Sequence, residues 1–278
     1  MLCGRRAFGK SQALERGGLR SAKGAPNHDA QPPPRRRADV LLVELGLFES
    51  RAKAQAAIAA GLVRAGGETV RRASDMLAAD AAIEAEPAHP YVSRGGVKLS
   101  AALDLFGLSP KGLHALDVGS STGGFTEVLL ERGAAHVTAV DVGRGQLHPK
   151  VAADPRVTSR EETDIRALAA ADLPEPPGVV VVDVSFAPLS AVLPAALALA
   201  APEATLVALV KPQFEVGRKE IGKGGIVKDE ARGCALEGAV ALVESLGLTV
   251  LGHAPSPISG GDGNVEYLLA ARRRGPRG

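Results

Sequence analysis

Two apolar runs of this chain end in charge. VVVVDVSF closes on Asp183 and LVALVKPQFE on Lys211, and both runs have the length and branched content of buried strands. A charge at the end of such a strand is costly unless something at that edge uses it. A carboxylate and an amine on neighbouring strand ends suit the activation of an alcohol. A hydroxyl is a weak acid, so its attack on an electrophile needs a base or a cation beside the developing oxyanion. A second cation nearby makes a neutral amine easier to form. Lys98, in YVSRGGVKL, is the candidate for it.

A second group of residues points to a ligand. LDVGSSTGGFTEVLL follows a strand-like run and opens a helix, so its glycines allow close backbone approach and the helix offers its N-terminus. The loop is neither G-x-x-x-x-G-K-[ST] nor G-x-G-x-x-G, which argues against a P-loop nucleotide or a dinucleotide. Asp117, just before the loop, suits a ligand with a cationic end. Asp141 ends the next strand in AVDVG and can accept from ribose hydroxyls. Together these favour S-adenosylmethionine, which has an amino group, a sulfonium and no phosphate. Asp164, in EETDIRAL, suits either an acceptor for the adenine amino group or the N-cap of the following turn.

The elements that must position these groups alternate. From residue 113, LHALDVG, HVTAVDVG, GVVVVDVSF and ATLVALVKP are strand-like, with helical patterns between them. Apolar strands separated by helices predict a parallel sheet covered on both faces, a doubly wound α/β domain whose carboxyl edge faces the ligand crevice. YVSRGGVKL begins a helix with Leu99, Leu103 and Phe106 on one face and Gly107 at its stop. It is a poor helix start: Arg94 and Lys98 sit at the positive end of the dipole, and Gly95 and Gly96 weaken the first turn. An anionic backbone arriving there would reverse the penalty, with Arg94 and the glycine amides facing phosphate.

At 278 residues and 45% apolar content, the chain has room for this domain and a smaller one. It has no apolar run of membrane-spanning length, and its two cysteines, Cys3 and Cys234, exclude a disulfide framework and a cysteine-based metal site. A soluble protein of a reducing cytoplasm is expected. Residues 1–99 hold 16 Lys and Arg against 10 Asp and Glu. Much of that excess lies in residues 1–37, a Pro- and Gly-rich stretch that reads as a disordered basic tail, either merely solvated or a nucleic-acid arm. Residues 38–86 read as two short helices followed by brief strands, and 87–95 as a linker. With no Trp, two Tyr and six scattered Phe, no stacking platform for splayed bases is expected.

FESRAKAQAAIAAGLVRAGGETV resembles the RNA-binding domain first seen in ribosomal protein S-four. That resemblance implies that Arg51, Lys53, Arg64, Arg71 and Arg72 lie near RNA phosphates. The order Lys98, Asp183, Lys211 and Glu266, the last in GNVEYLL, is similar to the Lys-Asp-Lys-Glu tetrad of FtsJ-like ribose 2′-O-methyltransferases. With DVGSSTGGF and the front module, the chain resembles the hemolysin A (TlyA) family of ribosomal RNA methyltransferases.

The resemblance implies an α/β fold: a seven-stranded Rossmann-like class I methyltransferase sheet over residues 96–272, with a small α+β RNA-binding domain before it and a tail at 273–278. It implies methylation of cytidine ribose 2′-hydroxyls in 16S and/or 23S rRNA, with ribosomal subunits as partners. Lys211 would be the base or hydroxyl orienter, Asp183 and Lys98 would tune it, and Glu266 would hold a lysine. Asp117, Gly119, Ser120, Ser121, Thr122, Gly123, Gly124, Phe125, Asp141 and Asp164 would bind S-adenosylmethionine. The loop EVGRKEIGKGGIVKD, with Arg218, Lys219, Lys223 and Lys228, reads as an RNA-clamping lid. Two other readings remain: a non-catalytic assembly factor, and the membrane-active protein that the hemolysin label evokes.

Overall fold

The computed structural model describes residues 33–260 and 262–273. The bulk of the expected N-terminal tail (1–32, with Cys3), the last residues 274–278 and the Lys223 side chain lie outside what is described.

The front module begins earlier than expected. Arg35–Arg37 form β1, which pairs antiparallel with β4 (Met76–Ala78), Arg36 opposite Leu77. Its three side chains are exposed, so the strand shows no apolar alternation. Helices α1 (Ala38–Glu44) and α2 (Arg51–Ala59) follow, the second capped by Ser50, whose side chain accepts from Lys53 N. Strands β2 (Val63–Ala65), β3 (Glu68–Thr69) and β5 (Ile83–Ala85) make a small sheet in the order β3-β2-β5. Leu42, Phe48, Ala54, Ile58 and Val63 fill the module's core.

The large domain is built on β6 (His114–Val118), β7 (His136–Val140), β8 (Val157–Arg160), β9 (Val179–Val182), β10 (Thr205–Val210), β11 (Leu248–Pro255) and β12 (Tyr267–Arg273). Their order is β11-β12-β10-β9-β6-β7-β8; the five from β10 to β8 are parallel, and β12 runs antiparallel to both its neighbours, β10 and β11. Helices α3 (Arg94–Phe106) and α4 (Gly124–Glu131) cover one face, α6 (Leu189–Leu199) and α8 (Asp229–Ser245) the other; α5 (Pro149–Ala152) and α7 (Pro212–Glu215) are short. Strand alternation feeds both layers. Val179 and Val181 pack with Leu99 and Phe125, while Val180 and Val182 pack with Leu193 and Leu206. Each buried valine contributes about 1.5–3 kcal/mol, which is why β9 reads as four consecutive valines. The chain steps from β6 out to β7 and β8, then returns to β9 on the other side of β6. The crevice therefore opens at the carboxyl ends of β6 and β9.

The start of α3 has a different rationale from the one its sequence offers. A Cβ on Gly96 would collide with the Tyr91 ring, and one on Gly124 with Ser93 Oγ. These glycines are required by the close packing of α3 on α4. Gly96 is buried rather than presented to an incoming anion, and its N–H donates to Ser93 O at 3.1 Å. Ser93 caps α3 by backbone geometry alone, and Arg94 is exposed.

Candidate active site

The sheet brings the four expected catalytic residues to one edge. Asp183 follows β9 and Lys211 follows its parallel neighbour β10; Lys211 Nζ lies 2.7 Å from Asp183 Oδ1. Strand β12 is antiparallel to these, so its first residues start at the same edge. Val210 is opposite Tyr267, so Lys211 and Glu266 sit side by side just beyond the ladder. Glu266 forms a buried ion pair with Lys98 Nζ, which α3 supplies from the layer above. The result is two ion pairs on adjoining strand ends.

Beside them lies a cleft of about 540 Å³, lined by residues that include Gly119, Ser121, Asp141, Asp164, Asp183, Ser185 and Phe186. Gly119 has φ +84°, and a Cβ there would lie 2.6 Å from Asp183 O, so only glycine lets the loop pass the reactive strand end. Asp141 braces the loops around it, accepting from Ser121 N at 2.8 Å and Gly143 N at 2.7 Å. Asp164 caps the turn at 165–167 and is paired with the Arg166 guanidinium, which holds its carboxyl down at about 2. Asp164 is thus the N-cap read from sequence, and it also lines the cleft.

Asp117 does not line the cleft; it lies fully buried just beneath it. It occupies a cross-strand row with Ala139 and Val181 and receives a hydrogen bond from Thr126 Oγ1 at 2.6 Å, while its Oδ1 has no partner. Burial pushes its carboxyl up to about 7, with the charges of Asp183 and Asp141 adding to the rise. The other loop residues divide. Ser120 is buried, Thr122 is exposed, Gly123 and Gly124 pack under α3 and α5, and Phe125 belongs to the apolar core. An orphaned carboxylate oxygen and three further carboxylates, beside walls of Val118, Val140, Val142 and Ile165, fit a cationic nucleoside such as S-adenosylmethionine.

Sequence reasoning passed over four residues here. Phe186 is 92% exposed at the cleft with φ +65°, its ring centroid 5.2 Å from that of Phe214. This aromatic pair at the reactive edge differs from the expected absence of any stacking surface. Ser185 Oγ accepts from Lys211 Nζ at 2.8 Å. Buried Glu127 accepts from Val92 N and pairs with Lys150, tying the segment before α3 to α4 and α5. Glu215 accepts from Leu189 N at 2.8 Å, pinning α6 to α7, and burial pushes its carboxyl up. Ser185 and Phe186 lie within DVSF and Glu215 within KPQFE, whereas Glu127 lies in GFTEVLL after the glycine loop.

The expected RNA-contacting cations also divide. Arg51 is held by the buried Asp39 at 2.7 Å, Lys53 pairs with Glu49 at 2.7 Å, and Arg72 with Asp75 at 3.1 Å. Arg64, Arg71, Arg94, Arg218 and Lys219 are exposed and have no carboxylate partner among the described residues. Lys228 pairs with Glu220 and donates to Lys219 O within the loop after α7, which closes on itself through an Ile221–Val227 bridge. His148 Nε2 meets Glu49 Oε2 at 3.0 Å, a contact between the two modules. Among the described residues no helix is long and apolar enough to cross a membrane.

Comparison with known proteins agrees with this geometry. Residues 91–273 match the FtsJ-like methyltransferase family and residues 36–83 the S4 domain. The chain is 43% identical over 248 residues to the 16S/23S rRNA (cytidine-2′-O)-methyltransferase TlyA of Mycobacterium tuberculosis, covering 87% of this chain and 92% of that one. It is 39% identical to Hemolysin A of Brachyspira hyodysenteriae, covering 84% of this chain and 98% of the relative. A solved Streptococcus thermophilus structure described under the name hemolysin is 40% identical, with a TM-score of 0.69 over 86% of this chain and 89% of that one. The sheet and its crevice are those of a methyltransferase domain, and the chain belongs to the FtsJ-like methyltransferase family, with an S4 domain in front.

Proposed function

We propose that this enzyme methylates the ribose 2′-hydroxyl of a cytidine in 16S and/or 23S rRNA, acting on ribosomal subunits in the cytoplasm. The observation that carries this reading is the pair at the cleft wall: Lys211 Nζ 2.7 Å from Asp183 Oδ1, beside the Lys98–Glu266 pair. The similarity to TlyA of Mycobacterium tuberculosis, which carries cytidine-2′-O in its name, supports it over most of both chains.

S-adenosylmethionine, the methyl donor of this family, supplies an electrophilic methyl on a sulfonium. Asp117, with its free Oδ1 just beneath the cleft floor, would favour the cationic end; Gly119 and Ser121 shape the loop, and Asp141 would accept from the ribose hydroxyls. Lys211 Nζ accepts the proton of the ribose hydroxyl as its oxygen attacks, or holds the developing oxyanion. Asp183 fixes that amine in place. Lys98 sets the local field, and Glu266 keeps Lys98 buried without an unpaired charge. Arg64 and Arg71 of the front domain, with Arg94, Arg218 and Lys219 near the catalytic edge, supply phosphate contacts that orient the RNA. Phe186 offers a face on which the target base can stack.

The test is transfer from methyl-tritiated S-adenosylmethionine to unmodified small and large subunits, followed by digestion to nucleosides. Label in 2′-O-methylcytidine is the expected result. Label in a base-methylated nucleoside, or none in either subunit, would overturn the reading.

A further inference from the structure

The reactive amine has a second partner that the tetrad does not include. Lys211 Nζ donates to Ser185 Oγ at 2.8 Å while lying 2.7 Å from Asp183 Oδ1. Ser185 also lines the cleft, whereas Lys211, Lys98 and Glu266 do not. It therefore links the cleft lining to the amine, as Asp183 does. The turn that carries it is rigidly set: Phe186, next in the chain, takes φ +65° and packs on Phe214, and Leu189 N is pinned by Glu215.

We propose that Ser185 is a positioning residue for methyl transfer, one that holds Lys211 Nζ in line through both protonation states. The inference rests on the ribose-methylation reading for its role in turnover, but not for its effect on the lysine. A carboxylate only accepts hydrogen bonds, so Asp183 favours the ammonium form. A hydroxyl accepts from an ammonium and donates to a neutral amine, so Ser185 can serve both. In the transfer step the oxygen–carbon bond forms, the carbon–sulfur bond breaks with its electron pair left on sulfur, and the hydroxyl proton passes to Lys211 Nζ. Ser185 switches from donor to acceptor as that proton arrives, so the amine does not move. The other charges around Lys211 are Asp183 on its own edge, Glu266 beside it and Lys98 bound to Glu266; Glu215 faces away to Leu189 N.

The test uses the full chain as wild type, Ser185→Ala and Ser185→Thr. The first measurement is labelling of Lys211 by acetic anhydride against pH, read by mass spectrometry, and it needs no RNA. Ser185 Oγ accepts from the ammonium, so in Ser185→Ala that form loses a partner and the labelling midpoint should move down by about half to one pH unit, whereas Ser185→Thr should keep the wild-type midpoint. The second is single-turnover methyl transfer with S-adenosylmethionine affinity measured alongside. Ser185→Ala should slow transfer on the order of tenfold, with the acid limb of the pH profile moved down and the cofactor dissociation constant within twofold. Ser185→Thr should restore the rate. Identical labelling midpoints for all three proteins would overturn the proposal, whether or not the wild type methylates RNA. An equal slowing by alanine and threonine with an unmoved pH profile would overturn it too. A wild type that labels normally but methylates no ribose would count against the ribose-methylation reading alone, since the labelling shift decides the role of Ser185.

Discussion

Asp39 in the front domain and Asp117 in the sheet are both fully buried carboxylates, and they are opposites in every other respect. Asp39 accepts from Arg37, Arg51 and Gln55, and the first of these above all holds its carboxyl well below the usual range. Asp117 has one partner, Thr126, and an oxygen with none; burial and two neighbouring carboxylates push it up to about 7. A satisfied buried carboxylate staples β1, α1 and α2 together. An unsatisfied one beneath a crevice costs the fold stability and marks a candidate ligand site. The same contrast separates the cations: Arg51 is committed to Asp39, whereas Arg94 points outward uncommitted.

Substitutions at these positions should break or sharpen the contrast. The largest effect belongs to Asp117→Asn, which should weaken S-adenosylmethionine binding on the order of 100-fold by calorimetry. The same change should stabilise the free protein at pH 8 on the order of 2 kcal/mol, read by thermal melting, because no charge is then forced into an apolar row. A variant that lost both affinity and stability would make Asp117 a structural residue like Asp39. Asp39→Ala should do the reverse. It should cost on the order of 2 kcal/mol in denaturant unfolding of the front domain and leave cofactor affinity within twofold.

The pH dependence should carry opposite signs at the two sites. Asp117 has a folded-state value raised above its usual one, so it binds its proton more tightly when folded. Its contribution is complete below about pH 4 and declines as pH rises to about 7. Asp39 is lowered, so its contribution is present above about pH 4 and is lost as pH falls below that. Melting curves of the cofactor-free protein should therefore show a fall in stability between about pH 4 and 7 that Asp117→Asn flattens and Asp39→Ala does not. The smallest effect separates the arginines. Arg94→Gln should reduce the salt slope of RNA binding by about one without changing melting, while Arg51→Gln should lower melting as well.

Much of this arrangement could be read in the sequence, because strand chemistry is local. Four consecutive valines before Asp183, and LVALV before Lys211, announce buried parallel strands whose ends meet at one edge. What stayed hidden depends on three-dimensional packing. Strand β1 is three exposed arginines, and nothing in RRR distinguishes a backbone-paired strand from a solvated tail. Gly95 and Gly96 look like defects in a helix start until Tyr91 and α4 are seen pressed against Gly96. Phe125 ends the glycine loop in sequence yet turns into the core. Ser185 and Phe186 owe their positions to a turn whose positive φ at a phenylalanine has no sequence signature.

The central claim is that Lys211 activates the methyl acceptor. It is tested most directly by single-turnover transfer to ribosomal RNA by Lys211→Ala at saturating S-adenosylmethionine, with cofactor affinity measured on the same protein. The account predicts affinity within a few-fold of wild type and transfer slower on the order of 1,000-fold. Transfer by the variant at close to the wild-type rate would contradict it.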